Sequence, residues 1–216
     1  MNNVLKSILL VAASLLAGNA VAANFNGSVS VGSDYNFRGL SQNGRDYAVS
    51  ADVNVEAGGF YAGVWGSQID GAYDMEYDLY AGYTLEASEG ISLDVAYIDY
   101  NYSAYDELAD FNETDLDVEE VMVAMTYKGI TASYYKGLDE AADYVEVSGE
   151  VAGLSFLVGE LEDTGTNWAV SKSVPMFEGS SFELDASFGV GHFYADDASG
   201  LEDFKRAFVV LTKQLF

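Results

Sequence analysis

Between Phe25 and Glu56 the apolar residues fall on every second position. Phe25, Gly27, Val29, Val31, Tyr35 and Phe37 alternate with Asn26, Ser28, Ser30, Asp34, Asn36 and Arg38; Tyr47, Val49, Ala51, Val53 and Val55 alternate with Ser50, Asp52, Asn54 and Glu56. Strict period-2 alternation over this length specifies two strands, each with one face against apolar material and one against water. The stretch Gly39–Arg45 between them is rich in turn formers, so the two runs form one long hairpin. The remainder of the chain repeats that unit.

After the tight turn at Ala57–Gly59, further strands are predicted over 60–69, 76–86, 91–101, about 117–127, 130–136, 143–151, 154–161, 167–174, 182–194 and 204–216. The parity of 60–69 is open, with Phe60, Ala62 and Val64 against Tyr61, Gly63 and Trp65. Pro175 is placed in the turn after 167–174, where its missing donor does no harm. Short connections alternate with longer ones around an even number of strands. This is the pattern of an antiparallel up-and-down transmembrane β-barrel, twelve-stranded in this reading and ten-stranded if 167–174 is irregular. Closure also removes the sheet edges that such long strands would otherwise expose.

The first 22 residues have the form of a secretory signal peptide. Lys6 gives the positive start, Ile8–Ala17 the apolar stretch and Ala20-Val21-Ala22 a small-x-small cleavage site, leaving 23–216 as a single barrel domain. The apolar run falls short of the roughly 20 residues that a membrane span needs. An exported chain with no cysteine has no disulfide staple, so a closed hydrogen-bond ladder or a core must supply its stability.

Carboxylates follow the polar parity of the strands. Asp34, Asp52, Glu56, Glu76, Asp78, Glu86, Asp94, Glu146, Glu150, Glu183 and Asp185 all oppose the apolar face, and with Arg38 they are the candidate pore-lining residues. In hydrocarbon only a helix or a closed barrel pairs every backbone polar group, so the acids belong to a watered lumen. Tyr35, Phe37, Tyr47, Tyr83, Tyr97, Tyr127, Trp168 and Phe182 are assigned to aromatic girdles on the outer face. The formal net charge is −26, or −27 once Lys6 leaves with the leader. That excludes nucleic acid as a partner and favours cations.

One motif carries a family resemblance. Ser33-Asp34-Tyr35-Asn36-Phe37-Arg38-Gly39-Leu40-Ser41-Gln42 resembles the S-D-Y-x-F-R-G-x-S-Q signature of the TorF-type porins, small proteobacterial proteins assigned to the outer membrane as β-barrels. Gly59–Trp65 and Asp78–Tyr83 resemble the same family. The resemblance implies fold and location, with both termini in the periplasm, and does not name a solute. The terminal Phe216 resembles the signal read by the barrel-assembly machinery, although Gln214 stands where an aromatic often sits.

No residue set points to an enzyme. The sole histidine, His192, shares the parity of Phe188 and Val190 and faces outward; Trp168, Val170, Phe208 and Val210 are assigned to the same face of the flanking strands, with no serine in phase for a triad. Acids of the 106–120 segment lack the spacing and glycine of a calcium loop, and phosphate loops and zinc spacings are absent, so no cofactor is expected. Arg38 reads as a lumen salt bridge in preference to an anion site. The expected function is passive diffusion of small cationic or neutral solutes across the outer membrane, with its lipid on the outer face. Two other readings stay open: a filled barrel with a structural or surface-interaction role, and a soluble periplasmic β-protein.

Overall fold

The computed structural model describes residues 22–71, 73–103, 117–138, 141–179 and 182–215, and every regular element is a strand. The signal peptide up to residue 21, the acidic stretch 106–116 and Phe216 lie outside the described residues. In chain order the elements are β1 (Asn24–Gly32), β2 (Asn36–Phe37), β3 (Leu40–Ser41), β4 (Ala48–Ala57), β5 (Phe60–Gln68), β6 (Met75–Ser88) and β7 (Ile91–Ser103). They continue as β8 (Asp117–Tyr127), β9 (Ile130–Gly137), β10 (Tyr144–Val151), β11 (Leu154–Leu161), β12 (Gly165–Gly179), β13 (Phe182–Ala195) and β14 (Phe204–Gln214).

Twelve of these strands close an antiparallel barrel, each paired with its neighbour in the chain. The seam is β1 on β14, from Ser28 opposite Gln214 to Gly32 opposite Val210. β2 and β3 form a separate two-stranded hairpin. At one end of the barrel the connections are tight turns. Lys128-Gly129 and Ala152-Gly153 both have positive φ at each central residue, which is what a hairpin needs to match the right-handed twist of its strands. The opposite end carries the longer connections, as alternation predicted.

Side-chain parity divides cleanly along the middle of the strands. Val53, Val64 and Leu79 form one register row on the outside. One residue away, Asp52, Trp65, Asp78 and Tyr100 form a row on the inside. This settles β5: Tyr61, Gly63 and Trp65 face in, and Phe60, Ala62 and Val64 face out. Large apolar side chains including Val49, Val53, Leu85, Val95, Val123, Met125, Val147, Val158, Phe188 and Val190 lie exposed around the whole circumference. Monomers in water rarely expose so continuous an apolar belt.

Inside, several large aromatic side chains reach over a facing glycine. Tyr80 covers Gly63, Tyr61 covers Gly82, and Phe208 covers Gly189, each directly opposite in register. The glycines are there for space, because a Cβ on any of the three would sit within 2.5 Å of the ring that covers it.

Four sequence expectations are corrected. β1 stops at Gly32, so Tyr35 and Phe37 are not on the outer face; they lie inside, on the segment described below. Strand 167–174 extends to Gly165–Gly179, and Pro175 sits within it at a register shift before Phe177, past Ser171 where pairing with β11 ends. A proline is tolerated there because the strand is locally an edge and bulged. Phe208 and Val210 face the lumen, while Val209 and Leu211 are the exposed pair on β14; His192 is opposite Trp168 and Lys205 and stacks on Tyr194 at 3.8 Å. Acids are also not confined to the lumen, since Asp99, Glu119 and Glu160 have outward parity toward the long-loop end.

Of the remaining girdle residues, Tyr47, Tyr83 and Tyr127 are exposed on the outer face and Trp168 has outward parity, whereas Tyr97 has outward parity but is buried. The side chain of Phe182 lies outside the described residues. On the exterior of the long-loop end Lys136 pairs with Asp143 at 2.8 Å. Hydrogen bonds from Lys136 and Tyr134 hold the Asp143 carboxyl below its ordinary range.

Candidate functional site

The motif from Ser33 to Gln42 leaves the wall and folds into the barrel. Ser33 makes the last contacts with β14, its amide donating to Val209 O at 2.8 Å and its Oγ accepting from Val209 N at 3.0 Å. β4 begins at Ala48, opposite Gly32, so residues 33–47 have no pairing with β4, and beyond Ser33 they are not laddered to β14 either. β2 and β3 pair through Asn36 with Ser41 and Phe37 with Leu40, leaving Arg38-Gly39 as a two-residue tip with φ of 49° and 93°. Both values are positive, as a tight hairpin tip requires. A Cβ on Gly39 would stand 2.6 Å from Asn167 and 2.8 Å from Phe193, so the tip touches β12 and β13 closely.

Each residue type in the motif has a visible use. Asp34 accepts from Ser41 Oγ at 2.7 Å, and Tyr35 O accepts from Gln42 N at 2.8 Å, which closes the base of the hairpin. Asn36 Oδ1 accepts from the Gly39 amide at 3.0 Å and steadies the tip. Tyr35 Oη donates to Glu76 on β6, and its ring packs on Trp65 of β5 at 5.0 Å. Phe37 meets Tyr100 of β7 edge-on at 5.7 Å.

Arg38 is the anchor. Its two terminal nitrogens donate to the two carboxylate oxygens of Glu120 on β8, both at 2.6 Å. Tyr100 Oη adds a third donor to Glu120 at 3.0 Å. The guanidinium also lies 4.5–4.9 Å from the ring centres of Phe37, Tyr135 and Tyr144. Both partners are buried, at 8% and 2% side-chain exposure. A fork-to-fork pair surrounded by aromatic faces is the arrangement that arginine makes and lysine cannot. The expected lumen salt bridge of Arg38 is therefore present, with a partner that the sequence reading did not single out.

The hairpin reaches β5 through Trp65, β6 through Glu76, β7 and β8 through the anchor, and β9 and β10 through Tyr135 and Tyr144. It leaves two cavities against the wall. One of about 360 Å³ is bordered by Tyr35, Arg38, Trp65, Asp78, Tyr100 and Arg206, among others. The other, of about 260 Å³, is bordered by Asp34, Tyr35, Asn36, Ser50, Arg206 and Phe208.

The predicted pore-lining residues separate into two groups around this hairpin. Asp34, Arg38, Glu76, Asp78 and Glu146 lie on it or border it. Asp52 and Asp94 lie further along the inner wall, where they accept hydrogen bonds from Tyr80 and from Tyr61 and Thr84. Glu56, Glu86, Glu150 and Glu183 have inward parity near the tight-turn mouth and are exposed, and Asp185 faces in opposite Thr212. Tyrosine hydroxyls thus satisfy Glu76, Asp52, Asp94, Glu120 and Glu146 without neutralising them.

Glu120, Arg206, Trp65, Tyr100 and Tyr144 are site residues that sequence reasoning missed. Glu120 was findable from parity, since it stands one residue from the outward apolar Val121, whereas Arg206 was hidden by the inverted reading of Phe208 and Val210 on the same strand. With Glu120 included, twelve acids on the strands and hairpin face inward, against two bases, Arg38 and Arg206, among the described residues.

No curated protein matches the chain. The family described as "Bacterial protein of unknown function (Gcw_chp)" matches over residues 16–188, a span that contains the in-folded motif and the strands up to the first half of β13. That match names neither TorF nor a porin. On this coverage the chain belongs to the bacterial family Gcw_chp.

Proposed function

We propose that this protein is an outer-membrane barrel that passes small solutes, cations in preference to anions, through a lumen narrowed by its own residues 33–47. The observation that carries the reading is the inner charge: twelve carboxylates against two guanidiniums, one of which is already spent on Glu120. A low-dielectric wall with that lining focuses a negative potential and raises the local cation concentration. The apolar exterior supports immersion in lipid, and since no helix among the described residues is long and apolar enough to cross a membrane, strands would do the crossing. In that setting the long-loop end faces outside and the tight turns face the periplasm, the barrel-assembly machinery inserts the chain, and no catalytic step is involved.

The anchored hairpin favours a second reading, in which the lumen is filled and the barrel serves a structural or surface role. Twelve strands lie between barrels that side chains fill and barrels that enclose a channel. Purified protein in a planar bilayer under a salt gradient decides. A reversal potential of cation-selective sign, reduced when Asp52, Asp94 and Glu146 are neutralised together, supports the channel. Absence of any conductance from a refolded, heat-modifiable barrel overturns it and leaves the filled barrel.

A further inference from the structure

The larger cavity beside the hairpin is bordered by an acidic and a basic side chain that each have buried atoms without hydrogen-bond partners. Asp78 is about nine-tenths buried, and its Oδ1 has no hydrogen-bond partner among the described residues. Arg206, across the same cavity on β14, has Nε and Nη1 without partners. Native interiors seldom leave such atoms unpaired, and a carboxylate or guanidinium held away from water without a partner is costly. The two groups do not satisfy each other, and the only other guanidinium on the cavity, Arg38, is committed to Glu120.

The surroundings of Asp78 suit a cation. In the register of the inner wall it lies directly between Trp65 on β5 and Tyr100 on β7. An ammonium at the carboxylate would therefore have an aromatic side chain on either side, a neighbourhood that suits organic cations. The protein already uses this chemistry nearby, where the Arg38 guanidinium sits among three rings. Arg206 offers the complementary end, because a guanidinium with N–H groups left without partners can donate a charge-assisted hydrogen bond to a carboxylate. The volume of about 360 Å³ is in the range of small-molecule sites.

We propose that this cavity binds a small zwitterion of the amino-acid class, with its ammonium group at Asp78 and its carboxylate at Arg206. The site is a resident binding pocket inside the barrel and does not depend on whether the lumen conducts. Selectivity comes from the pairing of both orphan groups by one molecule. A simple amine leaves Arg206 unpaired, and a simple carboxylate leaves Asp78 unpaired.

Trp65 borders the cavity and Trp168 is the only other tryptophan, so a Trp168→Phe protein reports binding through Trp65 alone. In detergent it is titrated with unbranched ω-amino acids from glycine to 6-aminohexanoate, and with the matching amines and carboxylates. At least one zwitterion is expected to change Trp65 emission with a Kd tenfold or more below that of its amine and its carboxylate. Asp78→Asn and Arg206→Gln should each weaken it at least tenfold, while Arg206→Lys retains part of the affinity. Heat-modifiable migration on gels verifies that each variant is a closed barrel. No response to any zwitterion overturns the proposal. So does an amine that binds as well as its zwitterion, or a folded Asp78→Asn and Arg206→Gln pair that binds like the parent.

Discussion

Arg38 holds a left-handed backbone conformation that costs a non-glycine residue roughly 1 kcal/mol or more, and it buries a full charge. Both costs are offset by one partner, Glu120, so the two residues behave as a unit. Removing either alone strands the other's charge in a buried setting. Arg38→Met or Glu120→Gln is expected to destabilise the barrel by about 3–5 kcal/mol, and the double variant by less than either single, as chemical unfolding in detergent would measure. Additive losses would mean that the pair is not what fixes the hairpin. The inward glycines are a second residue-scale dependence. Gly82→Ala would place a methyl 2.4 Å from the Tyr61 ring and 2.7 Å from Val95 O. A loss of about 1–3 kcal/mol is expected, and Tyr61→Leu in the same chain should recover part of it.

At the scale of elements, alternation along each strand divides solvent from solvent. Val53 and Asn54 are adjacent on β4, yet Val53 is in the exposed apolar belt, and Asn54 bonds to Asn26 and Asp52 inside. If the belt is lipid-facing, Val53→Arg should cost about 2–4 kcal/mol near the midplane, and Asn54→Arg, placed among carboxylates, should be tolerated. Equal sensitivity of the two sites, measured by refolding into bilayers, would mean that the faces are not lipid and lumen. The hairpin β2–β3 gives the other element-scale expectation. Replacing residues 36–41 with a pair of glycines removes the anchor and the tip while leaving the wall strands paired. Single-channel conductance should then rise several-fold. An unchanged conductance would show that the constriction lies elsewhere.

The whole molecule is a closed ladder with apolar material outside and negative charge inside. Its cation preference belongs to the summed field, not to one carboxylate, because Asp52, Asp94, Glu146 and their neighbours act together over distances comparable with the screening length of about 10 Å at 0.1 M salt. Raising the salt from about 0.01 M, where screening extends to roughly 30 Å, to 1 M should therefore shrink the permeability ratio toward unity. A ratio that stays constant with salt would point to a single tight site in place of a field. The same closed ladder should make the folded protein resist detergent and migrate differently on gels before and after boiling.

The period-2 pattern, the two-residue turns and the alternation of short and long connections determined twelve antiparallel strands, which side of most of them faces in (β5 stayed open and β14 was read in reverse), and the excess of acid on that side. These are local properties: a strand's faces alternate whatever it packs against, and a Lys-Gly or Ala-Gly pair forms the same turn in any hairpin. The direction of residues 33–47 was decided by tertiary structure alone. Past Ser33, Asp34 to Arg38 resume the alternation of β1 in phase, so their sequence is equally satisfied by lengthening the wall or by entering the lumen. What separates the two is whether a strand lies alongside. β4 starts opposite Gly32, and the partners that draw Tyr35, Phe37 and Arg38 inward are Glu76, Tyr100 and Glu120, between 41 and 82 residues away in the chain. Pairing over that separation leaves no periodic trace near the motif, so only the closed barrel could bring an arginine read as part of the pore lining to the carboxylate that holds it.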